Sequence, residues 1–357
     1  MMKTVQTVFL ETERDHMPLN SLLPTSVIQR LFHSAIAVLL AVLCIIGPGA
    51  QAALAVYTLP ENGQAPQPDP NLFGETTDPA VIQSLIDRSS ALLEGQELSW
   101  NADIERMEDS TMRYYCDDSI LVITWKEAIN GSAVTFAEIK LADGSQLRRA
   151  LAGGSYNSGI RQKATVMGKE ANAVIAFSGD FYDLRTLGIT VFQRQLYRNE
   201  PQRVDTAYFT AGGDMIFSHR GELSGPGEAQ AFIEQNDVLF SVAFGPILVE
   251  DGVLRTETER YPVGEINAQY SRAVIAQKDH LHYLLMTTGQ EGRFWRRITV
   301  NEAGQLIFDK GVQKAYTLDG GQTATIAMQG STVNRVDWDQ ERTMSDIIYF
   351  VSAIPET

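Results

Sequence analysis

From about Met107 onward, the chain alternates short runs of β-forming residues with turns, and this pattern constrains its fold more than any other feature. Helical candidates lie between some of these runs, notably "RQKATVMGKEAN" and "GEAQAFIEQND". The β-forming runs are "SILVITWKEA", "AVTFAEIKLADGS", "AVIAFSGDFYD", "GITVFQRQLYR", "VDTAYFTAGGDMIFSHRGE", "SVAFGPILVEDGVL", "SRAVIAQKDHLHYLLMTT" and "GVQKAYTLDGGQTATIAM". Because strands outnumber helices and no regular strand–helix–strand alternation occurs, the sequence predicts an α+β fold: a mixed, strand-rich sheet domain with a few helices.

The first 56 residues contain an apolar run that begins at Leu31 and is broken by Pro48. Ala50-Gln51-Ala52 has the small-x-small form that a signal peptidase accepts. The run is short for a membrane span, which needs about 20 residues, whereas the segment before it is long for a cleaved leader. Residues 1–56 are therefore expected to be either a signal peptide or an uncleaved signal-anchor. Either one places the rest of the protein outside the cytoplasm, secreted or anchored to the membrane.

The sequence divides the remainder into three parts. Residues 57–79 are rich in proline and polar residues, which predicts an extended linker with no core of its own. The stretch "AVIQSLIDRSSALLEG" spaces its apolar residues along one helical face, so residues 80–106 are expected to form a helical stalk or N-terminal extension. The sheet domain is assigned to residues 107–357.

Composition excludes several classes of protein. The chain is 44% apolar and 20% charged, which is typical of a folded globular protein. Its net charge is -15 and its Lys and Arg residues are scattered, so a nucleic-acid-binding surface is not expected. The two cysteines are Cys44, in the leader, and Cys116. Removal of the leader leaves Cys116 without an internal disulfide partner.

Two predicted strands end in the same way, with a carboxylate beside glycine. One exit is Ser178-Gly179-Asp180 and the other is Asp319-Gly320-Gly321. Each taken alone is explained by a tight turn, because Asp-Gly pairs suit turns. If the two acids converge, they supply the pair of carboxylates that cleavage of a glycosidic bond usually requires.

The order of the motifs carries more information than any one of them. The succession "AFSGDFYD", "GITVFQRQLYR", "AFGPILVEDG", "SRAVIAQ", "HLHYLLMTT", "AYTLDGGQTATIAMQGSTVNR" and "RTMSDIIYF" resembles the phosphodiester glycosidase family, the family of N-acetylglucosamine-1-phosphodiester α-N-acetylglucosaminidase. The resemblance covers about Tyr114 to Phe350, and its exported bacterial members look most similar. It implies cleavage of the bond between the anomeric carbon of a sugar and a phosphate that is esterified on its other side.

The resemblance also implies roles for individual residues. Asp319 and Asp180 are the implied catalytic carboxylates, which would stabilise an oxocarbenium-like transition state. Arg272 is the first candidate for clamping the phosphodiester, because a guanidinium matches two phosphate oxygens. Arg148 and Arg149 come next, with a surface charge pair as an equal alternative. The implied substrate-binding residues together are Arg272, Gly179, Gly320, Gly321, Ser178, Thr323 and Arg148.

This sequence departs from the usual family pattern at several positions. Ser178 and Thr317 each stand where asparagine is usual, Thr323-Ala324-Thr325 replaces Ser-Ser-Thr, and "RAVIA" replaces Arg-Thr-Ala-Ile-Gly. A lost hydrogen bond to a charged group costs about 1.5–3 kcal/mol, which indicates altered specificity or a weakened enzyme.

Two functions are therefore carried forward. The first is an exported hydrolase that acts on N-acetylglucosamine-1-phosphate diesters in surface or extracellular glycans, such as cell wall or exopolysaccharide. The alternative is a non-catalytic sugar-phosphate-binding protein that assists the assembly of those glycans. No cofactor is required by the sequence, although Asp180, Asp183 and Asp319 would suit calcium or magnesium if they converge. The expected partners are a glycan or sugar phosphate, and the membrane only through the N-terminal segment.

Overall fold

The computed structural model describes residues 57–108, 110–256, 261 and 266–355. The predicted signal peptide or signal-anchor, residues 1–56, lies outside the described residues. Within those described ranges, no helix is both long enough and apolar enough to cross a membrane.

Strands dominate the described part of the chain. In chain order they are β1 Phe73–Thr76, β2 Met112–Cys116, β3 Ile120–Ile129, β4 Ser132–Leu141, β5 Leu147–Leu151, β6 Ile175–Ser178, β7 Gly188–Phe192, β8 Gln195–Glu200, β9 Thr206–Thr210, β10 Met215–Ser218, β11 Val238–Val242, β12 Ile247–Glu250, β13 Val253–Leu254, β14 Ala273–Asp279, β15 His282–Gly289, β16 Lys314–Leu318, β17 Ile326–Met328, β18 Ser331–Thr332 and β19 Asp346–Phe350. The helices are α1 Pro79–Arg88, α2 Ser90–Leu93, α3 Ala164–Glu170, α4 Glu228–Gln235 and α5 Val300–Phe308.

A nine-stranded sheet with the order β1-β2-β3-β4-β15-β14-β16-β12-β13 lies at the centre, and every neighbouring pair in it is antiparallel. Its strands are apolar at consecutive positions because both faces are covered. In β3, for example, Val122 packs into one core while Ile123 packs into the other, as the two-residue period of a strand requires. The sheet thus separates two hydrophobic cores.

Different elements cover the two faces. A five-stranded sheet, β18-β17-β6-β19-β5, and a three-stranded sheet, β10-β9-β11, supply apolar residues to the first core. Helices α1 and α5 supply apolar residues to the second core. The α+β prediction is confirmed, and the helices predicted from "RQKATVMGKEAN" and "GEAQAFIEQND" are observed as α3 and α4.

Two predictions about the segment before the sheet domain need correction. Residues 57–79 do not form a detached linker, because β1 pairs with β2 at the edge of the nine-stranded sheet and Ala65 is buried. Residues 80–106 do contain the predicted helix, but α1 buries Ile82 and Leu85 in the second core rather than forming a stalk. Both segments belong to the folded domain.

Helix α5 was not predicted from the sequence, although its start carries a clear signal. Thr299 accepts a hydrogen bond from the backbone N–H of Glu302, and the Glu302 carboxylate accepts one from the backbone N–H of Thr299. This capping box can be read directly in "TVNE".

Candidate active site

A cavity of about 410 Å³ opens where the central strands β14 and β16 meet. These strands are antiparallel neighbours, and Ala273 at the start of β14 pairs with Leu318 at the end of β16. The residue before β14 is Arg272 and the residue after β16 is Asp319. The register therefore places both residues at the same end of these two strands. Both residues line the cavity. Antiparallel pairing therefore unites a cation and a carboxylate that are far apart in the sequence.

The glycines after Asp319 allow the turn to lie directly against the neighbouring strand. A Cβ atom on Gly320 would collide with the carbonyl oxygen of Ser271. Gly321 has a φ of +69°, which favours glycine, and its backbone N–H donates to the same carbonyl at 2.8 Å. The Gly320 N–H donates to the Asp319 carboxylate at 3.0 Å. Both glycines line the cavity, but these two N–H groups hold the turn, so the predicted use of them for substrate needs correction.

The Asp319 carboxyl group is half-buried and faces the cavity. Burial raises the pKa of this carboxyl, while the neighbouring Thr323, Arg342 and Arg185 side chains partly oppose the shift. The Arg342 Nη2 donates to the Asp319 Oδ2 at 3.2 Å. Asp319 is thus a poorly solvated carboxyl with a guanidinium beside it.

Four arginines of the described residues line the cavity, and each guanidinium lies against an aromatic ring that orients it. The distances from the guanidinium carbon to the ring centroid are 4.1 Å for Arg185 on Phe244, 5.5 Å for Arg272 on Tyr270, 5.4 Å for Arg297 on Trp338 and 5.9 Å for Arg342 on Phe181. The cavity is therefore a cationic site with aromatic walls inside a chain whose net charge is -15.

Three polar atoms of cavity-lining residues are buried without a hydrogen-bond partner in the part of the chain that the structure describes. They are the Arg185 Nη1, the Arg297 Nε and the Thr317 Oγ1. A buried polar group without a partner costs about 1–3 kcal/mol. These atoms offer two cationic N–H donors and one hydroxyl to a ligand.

Arg272 was predicted to clamp the phosphodiester, and the structure places it in the cavity. Its Nε donates to the carbonyl of Ile298 at 3.2 Å, and its Nη2 donates to the carbonyl of Ala268. The backbone therefore fixes the orientation of the guanidinium. Its clamping role stays a prediction.

Asp180, the second predicted catalytic carboxylate, does not line this cavity. It is 2% exposed, and its Oδ2 accepts from the backbone N–H of Ala243 at 2.8 Å. Its Oδ1 lies 3.3 Å from the Arg149 Nη2, and the Arg149 Nε donates to the Asp346 Oδ2 at 2.8 Å. Asp180 thus belongs to a buried ion cluster of Asp180, Arg149 and Asp346 and is not among the described residues that line the cavity, and its catalytic role beside Asp319 stays a prediction.

Gly179 serves this ion cluster. A Cβ atom at position 179 would collide with the Asp346 carboxyl, so glycine is required for packing. Ser178 is fully buried, where its hydroxyl donates to the Thr323 carbonyl and accepts from the Thr325 N–H at 3.0 Å. Neither Gly179 nor Ser178 is among the described residues that line the cavity, and their predicted contacts with substrate stay predictions.

The remaining predicted contacts lie elsewhere. Thr323 is 1% exposed and its Oγ1 donates to the Gly320 carbonyl at 2.8 Å, so it supports the turn beneath Asp319. Arg148 faces a different cavity and donates from its three nitrogen atoms to the carbonyls of Ser145, Gly63 and Pro60. Arg148 thereby holds residues 60 and 63 against the domain, and its predicted contact with substrate stays a prediction.

Sequence reasoning missed Arg185, Arg297, Arg342, Asp337 and Trp338 as cavity residues. The three arginines sit in loops and Asp337 and Trp338 in a short 3-10 helix, Asp337–Asp339, and none carries a local spacing that marks it as functional. The only sequence signal is that arginines lie near aromatic residues, as in "FYDLR" and "FWRR".

The structure gives no support for a metal centre in the described ranges. No three or more His, Cys, Asp or Glu side chains there are grouped so as to hold a metal ion. Asp183 pairs with Arg161 at 2.7 Å, and Asp180 and Asp319 lie in different environments.

Comparison with known proteins adds to this geometry. Over 198 residues the chain is 25% identical to the SPbeta prophage-derived uncharacterized protein YomE of Bacillus subtilis (strain 168), which corresponds to 53% of this chain and 29% of that relative. The chain thus spans less than a third of the length of that relative.

The fold is shared with a solved structure. The catalytic domain of zebrafish N-acetylglucosamine-1-phosphodiester alpha-N-acetylglucosaminidase, auto-inhibited by its pro-peptide, superimposes with a TM-score of 0.52 at 14% identity, covering 84% of this chain and 97% of that domain. A hypothetical protein from Synechocystis aligns with a TM-score of 0.47 at 14% identity, over 65% of this chain and 62% of its own.

The family profile for phosphodiester glycosidase matches residues 171–351, just over half of the chain. The matched range begins just before β6 and ends just after β19. It includes Asp319 and the four arginines that line the cavity. On this match, the chain belongs to the phosphodiester glycosidase family.

Proposed function

We propose that this protein is a glycoside hydrolase that cleaves the bond between the anomeric carbon of a sugar and the phosphate of a sugar-1-phosphodiester of the N-acetylglucosamine-1-phosphate type. The observation that carries the proposal is the cavity that joins one poorly solvated carboxyl, Asp319, to guanidinium groups with unpartnered N–H donors at Arg185 and Arg297. A phosphodiester is a permanent anion, and guanidinium groups are the side chains best suited to bind it.

The chemistry assigned to Asp319 follows from its position. A phosphate departs readily, so the main difficulty in this reaction is the positive charge that develops on the sugar ring. A carboxylate held in a site of low polarity stabilises that charge more strongly than it would in water. The Arg342 and Arg185 guanidinium groups favour the ionised form of Asp319 and oppose the effect of burial.

The aromatic side chains provide surfaces for the rest of the substrate. Trp338 is 71% exposed and Tyr270 is 40% exposed, and both lie at the cavity. Exposed aromatic rings of this size are suited to packing against the apolar face of a sugar ring. We propose surface or extracellular glycans as the source of the substrate, with the protein acting outside the cytoplasm; the support for export is the apolar run and the small-x-small site before residue 57.

The test is hydrolysis by the purified full chain of a panel of sugar-1-phosphodiesters that includes methyl-capped N-acetylglucosamine-1-phosphate, with release of reducing sugar as the readout. The wild type is expected to release sugar, and Asp319→Asn is expected to lower the rate by about 100-fold or more. Asp339→Asn is the matched control, because Asp339 is an exposed carboxylate paired with Arg335. It should retain activity.

If the wild type released no sugar from any compound of the panel, the proposal of a hydrolase would be overturned. If thermal shift still reported binding of the same compounds, the sugar-phosphate-binding protein would be the better description.

A further inference from the structure

We infer that Arg198, which is not among the described residues that line the cavity, positions Arg185 there for binding of the phosphodiester. The inference rests on the proposed function and adds to it a positioning residue from the hairpin of β7 and β8. The effect of Arg198 on the substrate passes through the loop that carries Arg185.

Arg185 lies in the loop between β6 and β7, residues 179–187. Its guanidinium stacks on Phe244 at 4.1 Å and on Phe181 at 5.6 Å, and its Nη1 is buried without a hydrogen-bond partner within the described ranges. The neighbouring Leu184 is 49% exposed, so this part of the loop faces solvent. Because ordering a loop on binding lowers the affinity for a ligand, a donor on such a loop binds best when its backbone is already fixed.

The Arg198 side chain fixes this loop by hydrogen bonds. Its Nη1 donates to the carbonyl of Tyr182 at 2.8 Å and to the carbonyl of Arg185. Tyr182 is 3% exposed, and its ring lies 5.4 Å from the guanidinium carbon of Arg149, so Tyr182 is anchored in the interior. One nitrogen atom of Arg198 therefore joins the backbone of the cavity arginine to a residue that contacts the buried ion cluster.

Packing alone does not explain an arginine at position 198. Arg198 lies on β8 opposite Thr190 of β7, and this pairing fixes where its side chain begins. Its Nε and Nη2 are buried, and neither has a hydrogen-bond partner in the part of the chain that the structure describes. An apolar side chain of similar length would fill the same space without leaving two buried donors unpaired. What the arginine adds is the pair of hydrogen bonds to the loop.

The position of Arg185 also matters for the Asp319 carboxyl. The charge of Arg185 opposes the rise in the pKa of Asp319 that burial causes. Displacement of Arg185 would therefore raise the pKa of Asp319 further. The loop that Arg198 fixes thus affects both the binding of the anion and the ionisation of the carboxyl.

The first experiment measures binding of an uncleavable ligand, the methyl ester of N-acetylglucosamine linked through CH₂ to a phosphonate, by calorimetry on the full chain. Arg198→Met and Arg198→Gln are each expected to weaken binding about 10-fold, which corresponds to the loss of one charge-assisted contact. Arg198→Lys, which keeps a cationic donor near the two carbonyls, should stay within about 3-fold of the wild type. Arg194→Met is the matched control, because Arg194 lies in the turn of the same hairpin and pairs with Glu61 and Asp237. It should bind like the wild type.

The double variant Arg185→Met/Arg198→Met separates positioning from general support of the fold. If Arg198 acts through Arg185, the double variant should bind as Arg185→Met does, within about 2-fold. In hydrolysis, the acid limb of the pH profile of kcat/KM reports the ionisation of Asp319. This limb should move to higher pH in Arg198→Met, and it should move no further in the double variant than in Arg185→Met. Melting temperatures verify that each variant is folded.

Wild-type affinity in both Arg198→Met and Arg198→Gln would overturn this inference alone, as would losses that add up in the double variant. Failure of the wild type to bind the phosphonate, together with release of no sugar from any compound of the panel, would overturn the proposed function and this inference with it.

Discussion

The turn at Asp180 and the turn at Asp319 look alike in sequence and differ completely in the structure. Both place a carboxyl and a glycine at a strand end, yet Asp180 is 2% exposed inside an ion cluster whereas Asp319 faces a cavity. The local residues specify a sharp turn in each case. What lies opposite the turn decides whether it closes over a partner or leaves room for a ligand.

The partners explain the difference. Opposite Gly179 lies the Asp346 carboxyl, which fills the space that a side chain would take and anchors Arg149. Opposite Gly320 lies the backbone of Ser271 and Arg272, and two arginines that line the cavity, Arg185 and Arg297, stack on rings and each keep one N–H group without a partner among the described residues. The turn at Asp180 is therefore enclosed in the protein interior. The turn at Asp319 lies beside guanidinium N–H groups that can still bind a ligand.

The largest effect that separates the two regions is expected from Arg149→Met. It leaves Asp180 and Asp346 buried without their shared cation, and breaking a buried ion pair in this way costs about 3–5 kcal/mol. The free energy of unfolding from denaturant titration measures it. Arg148→Met is the control, because the adjacent Arg148 is also buried but donates to backbone carbonyls and has no carboxylate partner within the described residues. Equal losses in the two variants would contradict the assignment of an ion cluster.

A comparable effect is expected in the dependence of stability on pH. Burial and the neighbouring charge of Asp180 raise the pKa of Asp346 to about 7, despite the opposing charge of Arg149. Two carboxyls share one cation here, so the folded state favours a proton on the cluster. A raised pKa in the folded state gives a contribution to stability that is complete below the unfolded value and is lost as pH rises through the folded value.

The measurement is the difference in unfolding free energy between wild type and Asp346→Asn across pH. Because asparagine cannot ionise, the wild type is expected to lose stability relative to the variant as the pH rises from about 4 to about 7, by about 4 kcal/mol, since each unit of pKa difference corresponds to about 1.4 kcal/mol. The same comparison with Asp339→Asn, at an exposed carboxylate, should be flat in that window. A flat difference for Asp346→Asn as well would show that the cluster does not hold a proton.

The contrast between the two turns also shows how much of the structure can be predicted from the sequence. The strands and the turns were predicted because their signals are local: alternating apolar residues, and glycine where the backbone must bend. Arg272 and Asp319 were both predicted as site residues, and they lie in one cavity because the register of β14 and β16 brings them together. Family resemblance supplied that pairing, since nothing in either segment alone specifies it.

What the sequence did not specify depends on contacts between distant segments. The burial of Asp180 depends on Arg149 and Asp346, which arrive from strands β5 and β19. The cationic wall depends on loops around Arg185, Arg297 and Arg342, whose spacing has no period. The prolines of residues 57–79 predict a linker, whereas the hydrogen bonds from Arg148 to Pro60 and Gly63 fasten this segment to the domain.

The smallest expected effect concerns the unpaired hydroxyl of Thr317 at the cavity and tests whether this group binds substrate. Thr317 and Thr325 both have buried hydroxyl groups that lack a partner within the described residues, but only Thr317 lines the cavity. Replacing either by valine removes an unsatisfied hydroxyl with little change of shape, so each protein should gain about 1 kcal/mol of stability or stay unchanged. Thr317→Val alone should raise the KM for a sugar-1-phosphodiester by about 2–10-fold, with kcat nearly constant, because it removes one hydrogen bond to bound substrate. If Thr325→Val raised KM equally, the effect would come from the packing of the strands. The unpaired hydroxyl of Thr317 would then be no different in function from that of Thr325.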